Sequence, residues 1–169
     1  MGPISETIPI DVPRERAFGF LADLANRPSF MGRMLDEYRL QRLDSTGVGA
    51  GARFRVPRRG VWMETVITEL EPPHRIVERG RAGRLGRIPI GWAWELTEGP
   101  GGSSCEVKVA HWSDPVHPAD RVAQRRPGVG RFYRRGLRGA LAQLKDVLES
   151  DQHVERVVVA GGDLIPGAG

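Results

Sequence analysis

The sequence holds a single cysteine, Cys105, which excludes an intrachain disulfide and any cysteine-cluster metal site. It has no apolar run near about 18 residues, so no segment is expected to span a membrane. It lacks a basic opening followed by an apolar core, so no signal peptide is expected and the expected location is cytoplasmic. It has little net charge, +4, carried by arginine more than by lysine. That balance permits anionic ligands but is not a nucleic-acid signature, and no nucleic-acid partner is expected. There are no internal repeats and no low-complexity linker. The 169 residues therefore read as one domain over 1–150, large enough to bury about 70% of its unfolded surface. Residues 151–169 are expected to be a partly flexible tail, apolar at Val157-Val158-Val159, that either adds a short segment or stays mobile. What is plentiful is glycine (22) and proline (13), within an ordinary globular composition of 40% hydrophobic and 27% charged residues. That combination suits many turns between short strands.

The clearest periodic stretch is Gly130 to Ser150. Leu137, Leu141, Leu144 and Leu148 recur at helical spacing, with Ala140 and Val147 widening the stripe. Arg134, Arg135, Arg138, Lys145 and Glu149 fall largely on the other side. Nearly everything upstream reads as strand, so one long helix gripped by one curved antiparallel sheet is the economical arrangement.

In chain order, Ser5 to Asp11 alternates as a first strand. Val12-Pro13-Arg14-Glu15 opens a helix with Ala17, Phe18, Phe20, Leu21 and Leu24 on its apolar face, and Asn26-Arg27-Pro28 is read as its stop. Ser29 to Leu35 is a short second helix or turn. Strands follow at Glu37–Asp44, Ala52–Val56, Trp62–Leu70, His74–Arg81, Ile88–Thr97 and Ser104–Trp112. Gly47 to Gly51 and Glu98 to Gly102 are turns, and Gly83 to Arg87 is a basic glycine loop. Asp114 to Gly128 is a loop or broken helix.

This order resembles the START/polyketide-cyclase (SRPBCC) superfamily with its helix-grip fold. Ile8 to Phe18 resembles that family's first strand and helix opening. Asp23 to Phe30 resembles the helix break, where members often carry tryptophan at the position of Phe30. Gly49 to Phe54 is similar to the turn into the third strand. Trp94 to Thr97 with Gly101 to Val107 resembles the last hairpin, and Leu141 to Glu149 the terminal helix. The resemblance covers about residues 4 to 150 and implies an α+β fold: a curved sheet of six or seven strands wrapped around a long C-terminal helix, with two short helices after the first strand. It specifies function poorly, because the superfamily includes ligand carriers, cyclases, dehydratases, hydrolases and co-chaperone domains.

Alternation places Val107, Val109 and His111 on one face of the last strand, and Trp92, Trp94 and Leu96 on one face of its partner. Trp62 with Val66 is expected to extend that wall, making Glu64 an inward carboxylate. Phe30, Leu137 and Leu141 complete the expected ligand-binding set with Trp62, Trp92, Trp94, Val107, Val109 and His111. An apolar, aromatic wall with few polar groups is the composition of a small-molecule pocket, and equally that of ordinary core. His111, Glu64 and Tyr38 are the candidate acid/base groups; His111 is otherwise a hydrogen-bonded histidine at a strand end. His111, Asp114, His117 and Asp120 do not make a metal site, because Pro115 and Pro118 break any helix that would stack them. No cofactor is expected. Arg79 to Arg87, Arg125-Arg126 and Arg131 to Arg138 are either solvated faces or a surface for phosphate or an acidic partner. The expected role is binding of a small hydrophobic or aromatic, lipid- or polyketide-like molecule between sheet and helix. The alternatives are cyclase or dehydratase chemistry in the same cavity, and a filled-core domain that binds protein or nucleic acid. The oligomeric state is left open.

Overall fold

The computed structural model describes residues 2–57, 60–83 and 85–150. The apolar tail and Arg84 of the basic loop lie outside the described residues. Strand β1 (Ile4–Ile10) leads into helices α1 (Arg14–Ala22) and α2 (Arg27–Met31), which are linked by a 3-10 turn at Leu24–Asn26. Six strands follow: β2 (Asp36–Leu40), β3 (Gly51–Val56), β4 (Val61–Glu71), β5 (Arg75–Ala82), β6 (Ile88–Glu98) and β7 (Cys105–Ser113). The short α3 (Pro118–Gln124) and the long α4 (Val129–Glu149) close the chain. All seven strands form one antiparallel sheet in the order β1-β7-β6-β5-β4-β3-β2, so only β1 leaves its chain neighbours to pair with β7. This is the helix-grip α+β fold.

Local chemistry sets the elements. Pro13 precedes α1 with its φ already near the helical value. The Asp23 side chain accepts a hydrogen bond from the Ala25 amide and so caps the 3-10 turn. Asn26-Arg27-Pro28 is not the stop expected from the sequence: α1 already ends at Ala22, where Asp23 turns extended. Proline sits in the first turn of α2 instead, where its missing N–H costs nothing, and α2 begins at Arg27. Gly47 and Gly49 take φ of 82° and 96° in the β2–β3 connection, a conformation that side chains with a Cβ rarely hold.

The α4 stripe lies as its periodicity dictates: Tyr133, Leu137, Ala140, Leu141, Leu144 and Leu148 are buried. The helix packs between β1 and α2, and Gly136 gives the Met34 side chain room against its backbone. The inner face of the sheet supplies Ile10, Phe54, Met63, Ile67, Ile76, Trp94, Val107 and Val109 to the same core. On the outer face the Trp112 ring lies over Gly91, where any Cβ would overlap it.

β4 departs from expectation. Met63, Thr65 and Ile67 face the core, whereas Trp62, Glu64 and Val66 face outward. The strand carries apolar residues on both faces, so its alternation fits either register. Pairing of Met63 with core-facing Phe54 and Ala82 decides between them.

Candidate functional site

The sheet's mouth, where β4 and β6 begin and β5 and β7 end, carries a cavity of about 110 Å³ beneath α3 and the start of α4. Met63, Ile90 and Val129 form its apolar wall, and His111, Tyr133 and Gln124 its polar part. His111 reaches it because β7 alternates Cys105, Val107, Val109, His111 and Ser113 inward. The imidazole stacks between Trp92, at 4.2 Å, and Tyr133, at 4.9 Å between ring centroids. Its Nδ1 lies 3.1 Å from the Gly91 carbonyl oxygen. A carbonyl only accepts, so in the neutral ring Nδ1–H is the donor and Nε2 keeps its lone pair. Burial pushes the His111 pKa down to about 4, against the opposing pull of the Gly91 carbonyl. At neutral pH the cavity therefore meets an uncharged acceptor.

The lid over this cavity is thin. α3 has no buried residue. Arg87, just before β6, clasps Asp120 of α3 through Nε at 2.7 Å and a second nitrogen at 3.2 Å. The Arg87 hydrogen bond holds the Asp120 carboxyl below the usual carboxylate range. Ser113 and Gln124 join β7 to the other end of α3 at 2.9 Å. His117, read in the sequence beside Asp120, accepts from the Ala119 amide as the cap of α3.

Beyond Phe132 and Tyr133, whose rings meet edge to face, lies an open groove of about 420 Å³. It runs between Met34 and Pro57 on one side and Gly136 and Gly139 of α4 on the other. Small residues on α4 leave that surface uncovered.

Deeper in, a second polar group was not foreseen. Arg27 of α2 and Glu78 of β5 form an ion pair at 2.7 Å, with both side chains only 5% exposed. Glu78 also accepts from the Thr65 hydroxyl at 3.1 Å and the Trp94 indole at 3.2 Å. The guanidinium lies over the Trp94 ring at 4.8 Å. A small void of about 10 Å³ adjoins this cluster, bordered also by Tyr38 and Trp92. The Trp92 indole N–H is buried there with no acceptor among the described residues. The signal in the sequence was faint: Glu78 occupies a position that alternation turns inward, in a strand with arginine on both sides.

The structure divides the expected residues. His111 lines the cavity and Trp92 stacks on it. Trp94, Phe30, Val107, Val109, Leu137 and Leu141 are fully buried core, with the Phe30 and Trp94 rings edge to face at 5.9 Å. Trp62 lies on the outer face beneath the Arg53 guanidinium at 4.7 Å. Glu64 is half exposed beside Arg53 at 3.5 Å. Tyr38 stacks on Phe54 and donates to the Leu24 carbonyl at 2.8 Å; burial pushes its pKa up. His111, Glu64 and Tyr38 thus occupy three separate places. Cys105 is buried, and burial raises its thiol pKa.

Fold and cavity together define a helix-grip domain with a small, partly open cavity under α3. The chain belongs to the family described as polyketide cyclase / dehydrase and lipid transport, which it matches over residues 1–149. Solved structures share the fold. A protein from Thermus thermophilus superposes with a TM-score of 0.69 at 14% identity, covering 89% of this chain and 99% of that one. A START superfamily protein from Mycobacterium smegmatis gives 0.63 at 11% identity, covering 89% and 99%. DynU16, a putative protein in the dynemicin biosynthetic locus, gives 0.60 at 18% identity, covering 93% of this chain and 50% of that one. No curated protein matches. Among the described residues no helix is long and apolar enough to cross a membrane.

Proposed function

We propose that the protein binds a small hydrophobic or aromatic molecule, lipid- or polyketide-like, between the sheet and α4, admitted past α3. The observation that carries this reading is the neutral His111 ring, set between Trp92 and Tyr133 on the wall of a largely apolar cavity. Its free Nε2 lone pair favours a ligand that presents a hydroxyl. The cavity's 110 Å³ is below the roughly 300 Å³ at which drug-sized sites begin. A larger ligand gains room by turning Phe132 and Tyr133 aside, which opens the cavity toward the 420 Å³ groove.

The cyclase or dehydratase reading draws on the family match and on the single pair His111 and Tyr133 in the cavity. Against it, an imidazole with a pKa near 4 is a weak base at neutral pH, and Glu64 lies on the outer face.

Native mass spectrometry of freshly purified protein, with solvent extraction of anything carried along, tests the binding reading. A stoichiometric apolar or aromatic passenger, displaced in the Tyr133→Trp variant, is the expected result. Protein that arrives empty and takes up no hydrophobic fluorescent probe overturns it.

A further inference from the structure

The mouth end carries a feature that ligand binding does not use. Between Ser113 and Arg138 the chain has seven arginines, at 121, 125, 126, 131, 134, 135 and 138, against Asp114 and Asp120 alone. All seven are exposed. Most of them border one open concavity of about 600 Å³ along α4, and Gln124 lies on the rim it shares with the inner cavity. Glu6 answers part of this charge by holding Arg134 and Arg138, while Asp120 is taken up by Arg87, outside the seven. Arg125, Arg126, Arg131 and Arg135 have no carboxylate partner among the described residues.

Apolar side chains project from the same end. Val116, Val122 and Leu85 are 69%, 66% and 75% exposed. Val116 precedes α3, Val122 lies on it, and Leu85 sits in the loop that Arg87 ties to α3. The other large exposed apolar residues, Leu43 and Val48, are in the β2–β3 connection at the opposite end of the sheet. Arginines around protruding aliphatic tips fit a surface that is anionic outside and apolar just beneath. A nucleic acid offers the phosphates without an apolar layer for the valines and leucine. A free phosphate offers no layer at all.

We propose that the mouth end docks on an anionic lipid bilayer, with Val116, Val122 and Leu85 dipping below the headgroups and Arg125, Arg126 and Arg131 on the phosphates. Docked in this way, α3 faces the membrane and the inner cavity opens toward it. The proposal stands whether or not the cavity's ligand is a lipid.

Co-sedimentation of the full chain with vesicles tests it. Phosphatidylglycerol vesicles should retain the protein and pure phosphatidylcholine vesicles should not, and rising salt should release it. Each arginine reversed among Arg125→Glu, Arg126→Glu and Arg131→Glu should weaken retention at least about fivefold. Val122→Asp with Val116→Asp should weaken it by a similar factor, with thermal unfolding unchanged because both positions are exposed. The Arg→Lys forms should retain binding. Three results overturn the proposal. One is no retention on anionic vesicles. Another is retention that the arginine reversals abolish and the valine changes leave intact, which reduces the surface to a phosphate site. The third is arginine-dependent capture of duplex DNA without vesicle binding.

Discussion

His111 makes the protein's stability depend on pH in a particular direction. Its pKa is about 4 in the folded chain and 6.5 for an ordinary histidine. Between those values the unfolded chain binds a proton that the folded chain refuses, so stability falls as pH drops from about 6.5 toward 4 and is unaffected above that window. The full effect is about 3 kcal/mol, at 1.36 kcal/mol per pKa unit. Urea denaturation from pH 7 to 4 should show this slope in the wild type and a flatter one in His111→Gln. Equal slopes would remove His111 from the account. The Arg27–Glu78 pair acts at the same scale. Glu78→Gln leaves a buried guanidinium without its counter-charge and should cost about 3–5 kcal/mol by denaturant titration. Replacing both by apolar residues of similar volume should recover much of that loss.

At the scale of elements, α3 is the weakest part of the grip. It buries none of its residues and is held by side chains rather than by core. Arg87→Gln removes the two hydrogen bonds that clasp Asp120 of α3. Hydrogen exchange in 118–124 should then quicken up to about fivefold, while β5 and β6 stay protected. Unchanged exchange would mean that Arg87 does not latch the lid. β5 and β4 behave differently, because Gly80 lies so close to the Glu64 carbonyl that a Cβ there has no room. That backbone contact ties two central strands, whereas the lid is tied only through side chains, the Arg87–Asp120 clasp and the Ser113–Gln124 hydrogen bond.

At the scale of the molecule, the core is nearly continuous from Ile4 to Leu148, and the inner cavity is an interruption near one end of it. A ligand that fills the interruption stabilises the folded chain by mass action, about 2.7 kcal/mol at a hundred times its Kd. Thermal unfolding should therefore rise with any true ligand and stay put with Tyr133→Trp, which fills the space. A ligand that raised both melting temperatures equally would bind elsewhere.

Much of this was legible in the sequence for physical reasons. Leucines at helical spacing have one way to be buried, so α4 and its inner face followed from the chain alone. Alternation in β6 and β7 put Trp92, Trp94, Val107, Val109 and His111 inward, because each strand had one apolar face. β4 had two, and only its pairing with Phe54 and Ala82 turned Trp62 and Glu64 outward. The Arg27–Glu78 pair joins residues 51 positions apart, a contact that no local pattern encodes. Which buried residues border space, and which merely fill it, was decided by the tertiary structure. Periodicity tells a side chain which way to point; only the packing of the elements around it determines whether anything is there to meet it.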